Sequence, residues 1–128
     1  MWRFSLGLFL MAHGFVHPWT WAFPGSGSST PQGSSWLLHG VFGLGTTDQK
    51  LTATIAWIAT VALMLAGLLV WFGIDVWKPA AIAGAIASGL AIFFVFKPAL
   101  SLGLLINVGI VWAALGPHWP VTKVVAAP

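Results

Sequence analysis

The sequence predicts an all-α protein, an integral membrane four-helix bundle with up-and-down topology, and three observations carry that expectation. Of 128 residues, 59% are hydrophobic and only 5% are charged, where a soluble domain carries about a quarter charged residues. The apolar residues fall into four runs, each close to the roughly 20 residues that a membrane-crossing helix needs. The turns joining the last three runs are very short, which makes those runs antiparallel neighbours in chain order. Residues 1–128 are therefore read as one transmembrane domain.

The first run covers Trp2 to Trp19, reaching at most Phe23, with Pro18 and Pro24 as its stops, because proline removes a backbone donor and crowds the preceding turn. Its opening, one cation followed by apolar residues, also resembles a secretory signal peptide, with Ala12 and Gly14 as the small cleavage-site residues. With Met1 in place, it is read as a retained first span. Pro24 to Ser35, "PGSGSSTPQGSS", is too polar for lipid and too flexible for a regular element, so it reads as a water-facing loop. Residues 36–46 are apolar, glycine-rich and too short to span, which predicts a short interfacial or re-entrant helix. Thr46, Thr47 and Asp48 are N-cap candidates for the second run, Leu51 to Ile74. The third, Pro79 to Phe96, begins with a proline where its missing N–H costs nothing. The fourth, Pro98 to Leu115, meets Gly116 and then Pro117 and Pro120, a helix stop.

Cations near helix ends set orientation. Arg3, Lys78 and Lys123 fall at one end and Lys50 and Lys97 at the other. That balance places both termini in the cytoplasm and the serine-rich loop outside, across a prokaryotic inner membrane. The formal charge of +3 comes from scattered residues, and nucleic acid binding needs a clustered basic face. The chain has no cysteine, which removes disulfides, iron–sulfur ligation and a thiol nucleophile from its own repertoire.

In lipid, helices associate through close packing and hydrogen bonds. The third run places Ala81, Ala85 and Gly89 on one stripe and Ala80, Gly84 and Ser88 on the next. This small face makes that helix the expected centre of the bundle or the dock for a partner helix. Smaller stripes occur on the second run, Ala56, Ala59, Thr60 and Gly67, and on the fourth, Gly103 and Gly109. Asn107 is the strongly polar side chain deep in a span. Burying its amide without a hydrogen bond costs roughly 1–3 kcal/mol, so it should point inward and be paired. No Asp, Glu, Lys or Arg lies mid-span, which leaves a proton relay or ion pathway without its usual carriers.

His13 and His17 lie one helical turn apart, a spacing that can place two imidazoles on one metal. The zinc-hydrolase pattern needs a glutamate after its first histidine, and Gly14 stands there. Haem needs ligands on opposite faces of the porphyrin, so a bis-histidine haem would combine one of this pair with His39, His118 or a histidine of another chain. His13 is the deeper of the two and must find a partner, whereas His17 is expected near water. No metal site is expected, and a haem, quinone or pigment contact through His13, His17 and His39 is the alternative to a chain without a cofactor. Trp19, Trp21, Phe23 and Trp36 bracket the loop at one interface, and Trp71, Trp77, Trp112 and Trp119 mark the other, as an aromatic belt would.

"WRFSLGLFLMAHG", an arginine opening the first span and a His-Gly pair within it, together with "LMLAGLLVWFGI" closing the second, resembles the DoxX-like group of small four-helix membrane proteins. The resemblance covers mainly the first two spans. It implies a membrane subunit that assists oxidoreductase systems, sometimes linked to the quinone pool, with Arg3, His13 and Gly14 on the matching positions. The long serine-rich loop and the lack of an acidic residue in the second span depart from that pattern.

These readings lead to a non-enzymatic accessory or scaffold subunit of a larger membrane complex, respiratory or photosynthetic, whose partners are the bilayer and other membrane subunits. The alternative is a redox-linked DoxX-like protein binding haem or quinone. The third reading is a small transporter or channel lined by Asn107 and the small face of the third span.

Overall fold

A computed structural model describes residues 2–22, 35–95 and 101–116, with the side chains of 19–22 excepted. It contains four helices and, among the described residues, no strand: α1 (Trp2–Ala22), α2 (Thr46–Phe72), α3 (Trp77–Phe94) and α4 (Ser101–Leu115). α1 packs on α2, α2 on α3, and α3 on α4. Two of them, α2 and α3, are long and apolar enough to cross a membrane; α4, at 15 residues, is a shorter apolar helix. Four such helices were expected. Arg3, His13, His17 and Pro18 dilute the apolar character of α1, and α4 is described from Ser101 onward, the expected start at Pro98 lying outside the described residues.

The boundaries differ from the expected ones for identifiable reasons. α1 passes through Pro18 and runs to Ala22, within the longer of its two expected bounds. Near a helix end the proline forfeits one backbone bond, and in apolar surroundings the remaining peptide groups have no better partner than the helix itself. α2 starts at Thr46, with Gly45 as its N-cap at φ 56° and ψ −131° and no side-chain cap. Thr46, Thr47 and Asp48 therefore form its first turn, and the expected caps are inside the helix. At the far end Gly73, at φ 69°, donates to the carbonyls of Leu69 and Val70 while the Ile74 N–H returns to Leu69. This is a Schellman closure, and it requires the left-handed conformation that glycine adopts without a Cβ penalty.

The expected interfacial helix is a tight, irregular turn. Ser35 Oγ accepts the N–H groups of Leu37 and Leu38 and so caps it, after which bonds to four residues back are interrupted by wider ones, Phe42 to Leu37 and Leu44 to Leu38. Of the loop before it, only Ser35 lies among the described residues, and Ser35 is buried.

The core centres on Leu63 of α2. A Cβ placed on Gly14 of α1 would lie 3.0 Å from the Leu63 Cβ, and one on Gly84 of α3 would lie 2.7 Å from its Cγ. Leu63 thus fills a glycine hollow on either side. Gly7 and Gly67 form a second close crossing of α1 and α2, where a Cβ on Gly67 would come within 2.6 Å of the Gly7 carbonyl oxygen. Ala66, Val70, Ala81, Ala85, Ile110 and Ala114 continue this core. α3 was expected at the centre or as the dock for a partner helix; within the chain, α2 and α3 are each flanked on two sides.

The two ends of the bundle are tied differently. At the first, the Trp71 indole donates to the Phe4 carbonyl at 3.1 Å and stacks on the Phe4 ring. The Arg3 guanidinium lies beside Gly73 at the end of α2, where the exposed carbonyls of the helix favour a cation. Trp77, expected in an interfacial belt, is buried in the core. At the second end the Trp36 indole donates to the Phe93 carbonyl at 2.9 Å and packs edge-on against the Phe93 ring.

Candidate functional site

Inside the bundle three helices are joined by a chain of polar side chains. His13 of α1 lies 2.9 Å from Asn107 Oδ1 of α4, and Asn107 Nδ2 donates to Ser88 Oγ of α3 at 2.8 Å. The amide oxygen can only accept, so His13 Nε2 is the donor. This pairing lets Asn107 lie buried as an amide with both ends satisfied. His13 stands eleven positions from the start of α1, as Ser88 does from the start of α3. At about 1.5 Å per residue that places both about 16 Å deep from the same end.

His17, the second member of the pair, is 6% exposed. It was expected near water, but because α1 continues past Pro18 it remains inside the helix. The His13 and His17 rings meet edge to face, 5.5 Å between centroids, and Phe9 stacks over His13 on the other side. The structure therefore brings His13, His17, Asn107 and Ser88 into one interior neighbourhood.

His39 belongs to another cluster, at the start of α2. Its side chain is 61% exposed and its Nδ1 lies 3.8 Å from Asp48 Oδ2. Asp48 is 0% exposed, and its Oδ2 also accepts the Ser35 N–H at 3.0 Å. His118 lies outside the described residues, as do Lys97 and Lys123.

The small face of α3 is turned inward. Ala81, Gly84, Ala85 and Ser88 are buried, whereas Gly89 is half-buried, with Asn107 Nδ2 and Leu104 Cδ2 each 3.9 Å from where its Cβ would be. Buried hydroxyls on α2 close on their own helix, Thr52 to the Asp48 carbonyl and Thr60 to that of Ala56. Such back-bonding satisfies a hydroxyl without a partner helix.

The chemistry open to the interior cluster is narrow. Ser88 Oγ accepts the Asn107 amide N–H, and an activated nucleophile would need its O–H to donate to a base. The carboxylates Asp48 and Asp75 lie at opposite ends of α2, too far apart to act together. Among the described residues no group of three or more His, Asp or Glu side chains could hold a metal ion. The imidazole, amide and hydroxyl are suited to cross-linking helices.

Two participants were not found by reasoning from the sequence. Ser88 counted there only as a small residue, and Asp48 only as a cap. The matched depths of His13 and Ser88 on parallel-running helices were the available signal. The burial of Asp48 had none, because it depends on how the turn after Ser35 folds back. Comparison with protein-family models, with curated proteins and with solved structures finds no match for this chain.

Proposed function

We propose that the chain is an integral membrane protein without enzymatic chemistry of its own, acting as an accessory or scaffold subunit of a larger membrane complex. The observation that supports this reading best is an inverted distribution of polarity. His17, Asp48, Thr52, Thr60, Ser88 and Asn107 are buried, whereas Phe15, Trp57, Val61, Leu65, Phe72, Ile86, Leu102, Leu105, Val108 and Trp112 are exposed. Soluble chains rarely leave so continuous an apolar surface uncovered, and in a bilayer the tails solvate it.

α4 supports the scaffold role in particular. It is held along one flank by α3 and buries only Asn107, Ile110 and Ala114, leaving Leu102, Leu105, Val108, Trp112 and Leu115 outward. A partner subunit would seat on that face. Extraction from its native membrane in mild detergent tests the proposal: the chain should migrate with other membrane subunits, and a stable, solitary 13.6 kDa species would refute it.

One observation favours a second reading, the redox-linked protein that the DoxX-like resemblance implies. The His13 and His17 imidazoles adjoin in the interior, with His13 oriented by Asn107. One of them could serve as an axial haem ligand only with a ligand from elsewhere on the opposite porphyrin face. An absorption spectrum of the natively purified chain distinguishes the two: a Soret band lost in His13→Ala supports haem, and a featureless visible spectrum excludes it.

A further inference from the structure

We infer that residues 35–45 form a proton-operated latch on one end of the bundle, closed when a protonated His39 pairs with Asp48 and released when His39 is neutral. The inference goes beyond the scaffold reading and does not rest on it.

The buried carboxylate is the starting point. Asp48, third residue of α2, is held at the helix N-terminus, where the dipole favours an anion. Its Oδ2 has the Ser35 N–H, but its buried Oδ1 has no hydrogen-bond partner among the described residues. A carboxylate withdrawn from water with half its acceptor capacity unused is costly. The charge that could relieve it stands next to it, because His39 Nδ1 is 3.8 Å from Oδ2. An approach of about 1 Å makes that contact a charge-assisted hydrogen bond. The His39 ring is exposed, and imidazole is the side chain that changes charge between about pH 5 and 8.

The turn around His39 is fixed at its front and joined to α2 through glycines. Ser35, buried Leu38 and the Trp36–Phe93 bond anchor the front of the turn. Its rear joins α2 through Gly43 and Gly45, at φ 64° and 56°, with no atom within 4 Å of where either Cβ would be. As glycines they carry no Cβ to oppose a change of backbone angle. Between anchor and hinge, Val41 and Phe42 are exposed, so the latch controls how an apolar tip is presented. Among the described residues, the other titratable groups on the elements near this end are Lys50 of α2 and His13 and His17 of α1; α3 adds none between Pro79 and Val95, and α4 none along its length.

The sign follows from the pair. Imidazolium and carboxylate attract, so the latch is closed at lower pH and opens as rising pH removes the imidazole proton. Because the chain has no cysteine, a nitroxide on Val41→Cys reports this turn alone. In detergent or nanodiscs the label should be more restricted at pH 5 than at pH 8, with the closed-to-open ratio changing roughly fivefold, as one charge-assisted contact of a partly exposed pair supplies. His39→Gln should remove the response and leave the label as mobile as in the parent at pH 8. Asp48→Asn, which keeps an acceptor for Ser35, should also respond to neither pH. A parent label indifferent to pH, or an undiminished response in His39→Gln, would overturn the latch, the latter placing the proton on another group.

Discussion

Replacing Asn107 by alanine breaks both bonds that join α1, α3 and α4 through polar side chains. Hydrogen bonds between helices within membranes contribute about 0.6 kcal/mol on average and up to about 1.7 kcal/mol. Two are lost here, and His13 Nε2 and Ser88 Oγ are left to find partners in an apolar interior, where an orphaned polar group costs about 1–3 kcal/mol. Asn107→Ala should therefore destabilise the fold by about 2–3 kcal/mol. Ser88→Ala, which breaks one bond, should cost about 1 kcal/mol. Because the two substitutions share a bond, the double variant should fall short of their sum by about 0.6 kcal/mol or more. Replacing His13, Ser88 and Asn107 together by apolar residues of similar volume should recover part of the loss, since no polar group is then stranded. Equilibrium unfolding in mixed detergent micelles measures all four variants. An Asn107→Ala variant within about 0.5 kcal/mol of the parent, or strict additivity with Ser88→Ala, would refute the polar bridge.

The glycines provide a contrast. Gly67→Ala drives a methyl toward Met11 and the Gly7 carbonyl and should cost about 1–3 kcal/mol, whereas Gly109→Ala meets nothing within 4 Å and should stabilise by about 0.5–1 kcal/mol; thermal unfolding in detergent checks both signs. Gly45→Ala should cost roughly 1–3 kcal/mol, since its backbone angles suit glycine, and limited proteolysis near the start of α2 should show that end loosened. Leu63→Ala empties the hollow shared by Gly14 and Gly84 and should cost about 2–5 kcal/mol, while Val61→Ala on the exposed face should be close to neutral in the same assay.

How far the sequence could be read depends on whether each feature is local. The four helices follow from apolar run length and from prolines and glycines between runs, and the helix ends that glycine determines, Gly73 above all, lie where left-handed backbone is needed. That α1 takes the longer of its two expected ends reflects a proline's cost weighed against the surroundings of the whole helix, which no local pattern contains. The inward demand of Asn107 was legible from the desolvation cost of an amide, but the identity of its partners was not. His13 and Ser88 are separated from it by 94 and 19 residues, and only the packing order of the helices brings them together. Asp48 is bound by Ser35 across the turn, again a contact that no local pattern contains. The Leu63 hollow is likewise legible only afterwards, since Gly14 and Gly84 come from helices on opposite sides of α2.

The central claim is that the exposed apolar faces of this bundle are solvated by lipid. Single nitroxides on Trp57, Val61, Leu65 and Ile86 of the cysteine-free chain, reconstituted in vesicles, test it through collision with oxygen and with a water-soluble nickel chelate. Lipid solvation requires high oxygen and low chelate accessibility at all four positions, and low accessibility to both at buried Ala59 and Ala85. Chelate accessibility at the four exposed positions matching that of a water-facing residue would contradict it.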